Sequence, residues 1–219
     1  MISNSVFHEV HIDLGRIKLA GNLVTPSPSR GIVLFSHGSG SSRLSPRNNF
    51  VASQLNEQNF STLLLDLLTP EEDRHYSNRF DIDLLTERLI GATRWIQKNP
   101  DLKPMRIGYF GGSTGAASAL KAAALLHNEV QAVVLRGGRP DLVDLQELQQ
   151  VIAPTLMIVG ERDEAVLQMN ERAYRQLRCE KSLVVIPGAT HLFEEAGALE
   201  KVTEIASEWF ITHLSDNHE

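Results

Sequence analysis

Three residue types that together perform nucleophilic acyl chemistry stand at the ends of three separate apolar runs. Ser113 lies in Gly111-Gly112-Ser113-Thr114-Gly115, after Met105–Phe110 and before the alanine-rich stretch Ala116–Leu126. A G-x-S-x-G segment between a strand and a helix makes a sharp turn that lifts the serine Oγ clear of a sheet and aims the helix N-terminus at a developing negative charge. Downstream, Thr155–Val159 runs into Gly160-Glu161-Arg162-Asp163, and Ser182–Ile186 runs into Pro187-Gly188-Ala189-Thr190-His191. Functional residues of parallel sheets sit on loops at the carboxyl ends of strands, so all three candidates are expected on one edge. In that arrangement Ser113 attacks a carbonyl, His191 takes the Oγ proton and Asp163 holds the imidazole tautomer. Asp163 also suits the N-cap of a helix over 164–177, and Glu161, Glu164, Asp141 and Asp144 are alternative acids. A surface position is the plain alternative for His191, as for His213 and His218.

An acyl-transfer site also needs donors for the oxyanion. The strand-like run Gly31–Ser36 is followed by His37-Gly38-Ser39-Gly40-Ser41-Ser42, which resembles the His-Gly oxyanion loop of lipases and esterases. The expected donors are the backbone N–H groups of Thr114 and Ser39, and losing one such donor typically costs about 2.7–4 kcal/mol of transition-state stabilisation. Because both are backbone groups, side-chain identity at Thr114 and Ser39 is expected to matter less than loop geometry. His37 reads as a hydrogen-bonding residue of the loop rather than a second base.

These segments, in this order, resemble the α/β-hydrolase superfamily and, more narrowly, the dienelactone-hydrolase-like proteins, over roughly residues 6–214. The resemblance implies a hydrolase with a Ser-His-Asp triad and no cofactor. It departs from dienelactone hydrolases proper at the nucleophile: they use a cysteine, whereas the elbow here carries Ser113, and the one cysteine, Cys179, lies far from it.

The rest of the chain must position that site. Val6–Leu14 and Arg16–Val24 suggest an antiparallel hairpin, followed by strands near 31–36, 61–66, 105–110, 130–136, 155–159 and 182–186. Near-continuous apolar strands alternating with helices predict an α/β fold: a mostly parallel central sheet of about eight strands with helices on both faces, in one domain over 1–219. Residues 81–98 and 199–214 carry apolar side chains at helical spacing. About twenty residues separate Gly137 from Thr155, with one short helix candidate at 142–150, so no large lid is expected. The polar stretch Thr69–Phe80 reads as a solvated connector or a partial cover of the site.

Arg43 and Arg47 follow the oxyanion loop, while Arg136 and Arg139 flank Gly137-Gly138. A guanidinium fork recognises carboxylate or phosphate, so Arg43 and Arg136 are candidates for binding an anionic substrate, with loop bracing as the alternative. A formal charge of −6 without a basic face gives no nucleic-acid footprint. No apolar run approaches membrane-spanning length, Met1–His11 has no leader pattern, and one cysteine permits no internal disulfide. A cytoplasmic protein needing no metal is expected. The glycines around Ser113 lack the G-x-G-x-x-G spacing of a dinucleotide site. The expected function is therefore cleavage of a small or medium carboxylic ester, lactone or thioester. Acyl transfer on the same triad, or a binding protein on a hydrolase scaffold, are the alternatives; the oligomeric state is left open.

Overall fold

The computed structural model describes residues 5–215. Eight strands form one sheet: β1 (Val6–Asp13), β2 (Lys18–Thr25), β3 (Ile32–Ser36), β4 (Ser61–Leu65), β5 (Ile107–Gly112), β6 (Ala132–Arg136), β7 (Thr155–Gly160) and β8 (Lys181–Ile186). Their spatial order is β1-β2-β4-β3-β5-β6-β7-β8. The pairings of β1 with β2 and of β2 with β4 are antiparallel; every other pair is parallel. β3, β4 and β5 are buried at every position because both faces of the central sheet are covered.

Alternate side chains feed two cores. Leu34, Leu63, Tyr109, Val133, Leu135 and Met157 pack towards α2 (Ile82–Lys98), α3 (Thr114–Leu126) and α5 (Glu164–Gln176). Val33, Phe35, Phe110, Val134 and Ile158 pack towards α1 (Pro46–Glu57) and α6 (Ala198–Leu214). Two helix starts follow from their first residues. Ser45 accepts the Asn48 N–H with Pro46 in the first turn, and Asp81 accepts the Leu84 N–H. α3 is lined with buried alanines, which lets it lie close against the strands.

The chain leaves β3 towards β4 on one side and later returns to β5 on the other. This makes a topological switch point between β3 and β5, where open α/β sheets place ligands. Loops at this edge are short. Between β6 and β7 stand only a 3₁₀ turn (Pro140–Leu142) and α4 (Leu145–Gln150), shorter than the single helix expected there. The connector after β4 is more ordered than its polar composition suggests. It holds two 3₁₀ turns, Glu72–Arg74 and Tyr76–Phe80, tied by the Arg79–Asp73 ion pair and by Arg88 donating to Glu72.

Candidate active site

Ser113 occupies the turn between β5 and α3 with φ 51° and ψ −122°, at positive φ, where a side-chain-bearing residue is strained. Two neighbouring contacts hold it there. A Cβ on Gly111 would lie 2.6 Å from the Ala116 Cα, and one on Gly115 would lie 2.1 Å from the Ser36 carbonyl oxygen. The tight passage of α3 over β3 and β5 therefore requires glycine at both positions. The Ser113 N–H donates to the Arg136 carbonyl at 3.2 Å, and the Ser113 carbonyl accepts the Arg139 N–H at 3.1 Å. The elbow is thus stitched to the end of β6.

His191 and Asp163 meet directly. The imidazole Nδ1–H donates to the Asp163 carboxylate at 2.5 Å, which leaves Nε2 as the acceptor. Asp163 stands at the N-cap position of α5, yet its side chain makes no cap bond and goes to the histidine instead. The loop that carries His191 is clamped. A Cβ on Gly160 would sit 2.4 Å from the Ala189 carbonyl, and Glu161 accepts the Gly188 N–H at 2.7 Å. Three of the alternative acids are engaged elsewhere: Glu161 braces this loop, Asp141 takes the Arg139 fork, and Asp144 forms a capping box with Glu147 at the start of α4. The imidazole lies over Gly137, where an added Cβ would be 3.3 Å from Cε1 and Nδ1. That glycine has φ 52° and follows the residue that receives the Ser113 N–H. No hydrogen bond joins Ser113 Oγ to His191 in this resting geometry, a contact that in hydrolytic triads commonly tightens only with substrate bound.

The candidate oxyanion loop packs against Ser113, since a Cβ on Gly38 would stand 3.0 Å from the Ser113 Cβ. His37 is only 8% exposed; its Nε2 accepts the Leu67 N–H at 3.1 Å while its Nδ1–H donates to the Gly38 carbonyl at 3.0 Å. The ring therefore ties the loop to the end of β4 in a fixed neutral tautomer, and burial pushes its pKa down. The unfolded chain takes up this proton as pH falls through about 6.5 while the folded chain does not, so stability is present above that pH and is lost below it. Thermal melts between pH 7.5 and 5.5 are expected to fall more steeply for the native chain than for His37→Gln, by at most about 1.4 kcal/mol per pH unit. Parallel curves would remove His37 from the account.

The two oxyanion candidates also touch each other, in a way that sequence reasoning missed. The Ser39 N–H donates to the Thr114 hydroxyl oxygen at 2.8 Å. The two candidate arginines differ sharply. Arg43 is committed to Asp66, its N–H and its guanidinium both bonding that carboxylate. Arg136 has no carboxylate partner among the described residues, and its Nε and Nη1 are buried without any hydrogen bond. Its Nη2 lies 2.9 Å from where a Gly112 Cβ would be. Burial, and secondarily the charge of Arg47, lower its pKa to about 10, so it remains a cation at neutral pH.

Among the described residues no helix is long and apolar enough to cross a membrane. A family model described as an alpha/beta hydrolase domain matches residues 29–211. The crystal structure of a dienelactone hydrolase from Anabaena variabilis superposes with a TM-score of 0.93 at 54% identity, covering 96% of this chain and 99% of that one. Est1E from Butyrivibrio proteoclasticus superposes at 0.80 with 20% identity, covering 93% of this chain and 98% of that one, a likeness of fold alone. A Mycobacterium tuberculosis protein provisionally named a phosphoribosyl transferase is 54% identical over 206 residues, which is 94% of this chain but 46% of that protein. The chain thus spans about half the length of that curated relative. With the fold, the elbow and these likenesses together, the chain belongs to the alpha/beta hydrolase family, among the dienelactone-hydrolase-like proteins.

Proposed function

We propose that the protein is a cofactor-free serine hydrolase of a small or medium carboxylic ester, lactone or thioester, working through an acyl-enzyme in the cytoplasm. It needs no nucleic-acid or membrane partner. The observation that carries this reading is the Asp163–His191 hydrogen bond at 2.5 Å beside a serine held at φ 51°. Ser113 Oγ attacks the carbonyl carbon, its proton passes to His191 Nε2, and the carbonyl π pair becomes the oxyanion facing the Thr114 and Ser39 N–H groups. Collapse of the tetrahedral adduct breaks the bond to the alcohol or thiol, which leaves with the proton from Nε2. Water then repeats the sequence on the acyl-enzyme and frees Ser113.

The test is fluorophosphonate labelling followed by intact-mass and peptide analysis. A single adduct on Ser113 is the expected result, and a folded protein that takes none would overturn the reading. Acyl transfer uses the same steps with another acceptor in place of water. Phosphoribosyl transfer rests on the name of a relative less than half of which this chain matches, and the Ser113, His191 and Asp163 arrangement is suited to acyl chemistry instead.

Anion recognition falls on Arg136, the candidate whose guanidinium lacks a carboxylate. On matched anionic and neutral esters, Arg136→Gln is expected to lower kcat/KM for the anionic series by about tenfold or more, the value of a charge-assisted hydrogen bond. The neutral series should stay within about twofold. Equal losses on both would assign Arg136 to bracing the elbow.

A further inference from the structure

The Ser39 N–H can point at only one acceptor at full strength, and in the resting protein that acceptor is the Thr114 hydroxyl, 2.8 Å away. Thr114 is the first residue of α3, directly after the nucleophile, and it is 2% exposed. The hydroxyl oxygen therefore occupies the direction in which this donor would meet a substrate oxyanion. Ser39 is itself exposed, so the hydroxyl stands where solvent or a substrate oxygen would otherwise meet this N–H.

Resting on the acyl-enzyme reading above, we infer that the Thr114 side chain is the resident occupant of the oxyanion hole, displaced when the substrate carbonyl oxygen enters. Displacement needs only a turn of χ1 to another staggered well. It breaks one neutral hydrogen bond and replaces it with a charge-assisted one as the oxyanion forms. The side chain at 114 thus sets a threshold for acylation. A carbonyl whose oxygen gains much negative charge displaces the hydroxyl readily, and a weak acceptor does so poorly. This makes Thr114 a positioning residue acting through Ser39, in addition to the backbone N–H it supplies. It also reverses the expectation that side-chain identity at this position matters little.

The experiment is the second-order rate of fluorophosphonate labelling and of p-nitrophenyl acetate acylation for the native chain, Thr114→Ala, Thr114→Ser and Thr114→Val. Removing the occupant with alanine is expected to accelerate acylation by about two- to tenfold, the net strength of one neutral hydrogen bond. Serine, whose hydroxyl turns more freely, should be at least as fast as threonine. Valine should be slower than alanine, because two of its three staggered wells put a γ-methyl group in the hole. If alanine fails to fold, the order of serine above threonine above valine decides. A loss with alanine as deep as with valine, and serine no faster than threonine, would overturn the inference and make the hydroxyl a third oxyanion donor. Equal rates in all four chains would overturn it too. Absence of any Ser113 adduct on the native chain is a different failure, that of the acyl-enzyme reading itself.

Discussion

Ser113→Ala and His191→Ala are each expected to reduce kcat by about a millionfold on any ester the protein turns over, and Asp163→Asn by about ten-thousandfold. The ranking comes from the geometry. In the proposed mechanism the serine supplies the bond-forming electron pair and the histidine takes its proton. Asp163 acts through His191, accepting Nδ1–H at 2.5 Å. Asparagine at 163 keeps the shape, but its amide can donate to Nδ1 and so selects the tautomer whose Nε2 is protonated and useless as a base. The double variant Ser113→Ala/His191→Ala should be no worse than either single one, because the residues act as a unit. Steady-state kinetics on one activated ester checks all four chains. Additive losses would mean that the two residues serve separate steps.

Gly115→Ala is expected to be the most damaging single-methyl change in the molecule. Its Cβ would stand 2.1 Å from the Ser36 carbonyl oxygen and 2.5 Å from that of His37, both backbone atoms of β3 and the oxyanion loop. Neither can yield without moving α3 off the sheet. The cost is placed at the upper end of the over-packing range, about 3 kcal/mol or more, together with loss of the oxyanion geometry. Gly91→Ala is the natural control. Its Cβ would come within 2.7 Å of Leu14 Cδ2, but that is the end of a flexible side chain, and the glycine sits inside helix α2. Alanine there gains up to about 1 kcal/mol of helix propensity to set against the shift. Chemical denaturation of both variants measures the contrast; equal destabilisation would show that the backbone contact at Gly115 is softer than its geometry implies.

Much of this was legible in the residues alone, and the reason is local. Buried parallel strands need continuous apolar runs, so β3, β4, β6 and β7 fell within a residue or two of their expected limits. β5 ran two residues further than its apolar run, because Gly111 and Gly112 continue the ladder opposite Leu135 and Arg136. What stayed hidden depends on partners distant in sequence. Arg43 and Arg136 look alike in a string, and only the fold brings Asp66 to the first and no carboxylate to the second. The Ser39–Thr114 bond spans 75 positions. Gly137 could have been noticed, since a tandem glycine directly after a strand marks a close approach, here by the His191 imidazole.

The alanine-lined helix behind the elbow has one more consequence, for how the protein loses its shape. α3 is buried from Thr114 to Ala124 apart from a half-buried Lys121, so its amides can exchange with solvent only when the whole sheet opens. His191 belongs instead to the loop between β8 and α6, clamped to Gly160 and anchored by the buried Ala189 and Phe193 in the core on the other face of the sheet. Ser113 and His191 are therefore held by packing on opposite faces of the sheet. Loosening the second core alone should displace the imidazole, leaving a molecule that keeps its strained serine in place and has lost the group proposed to activate it.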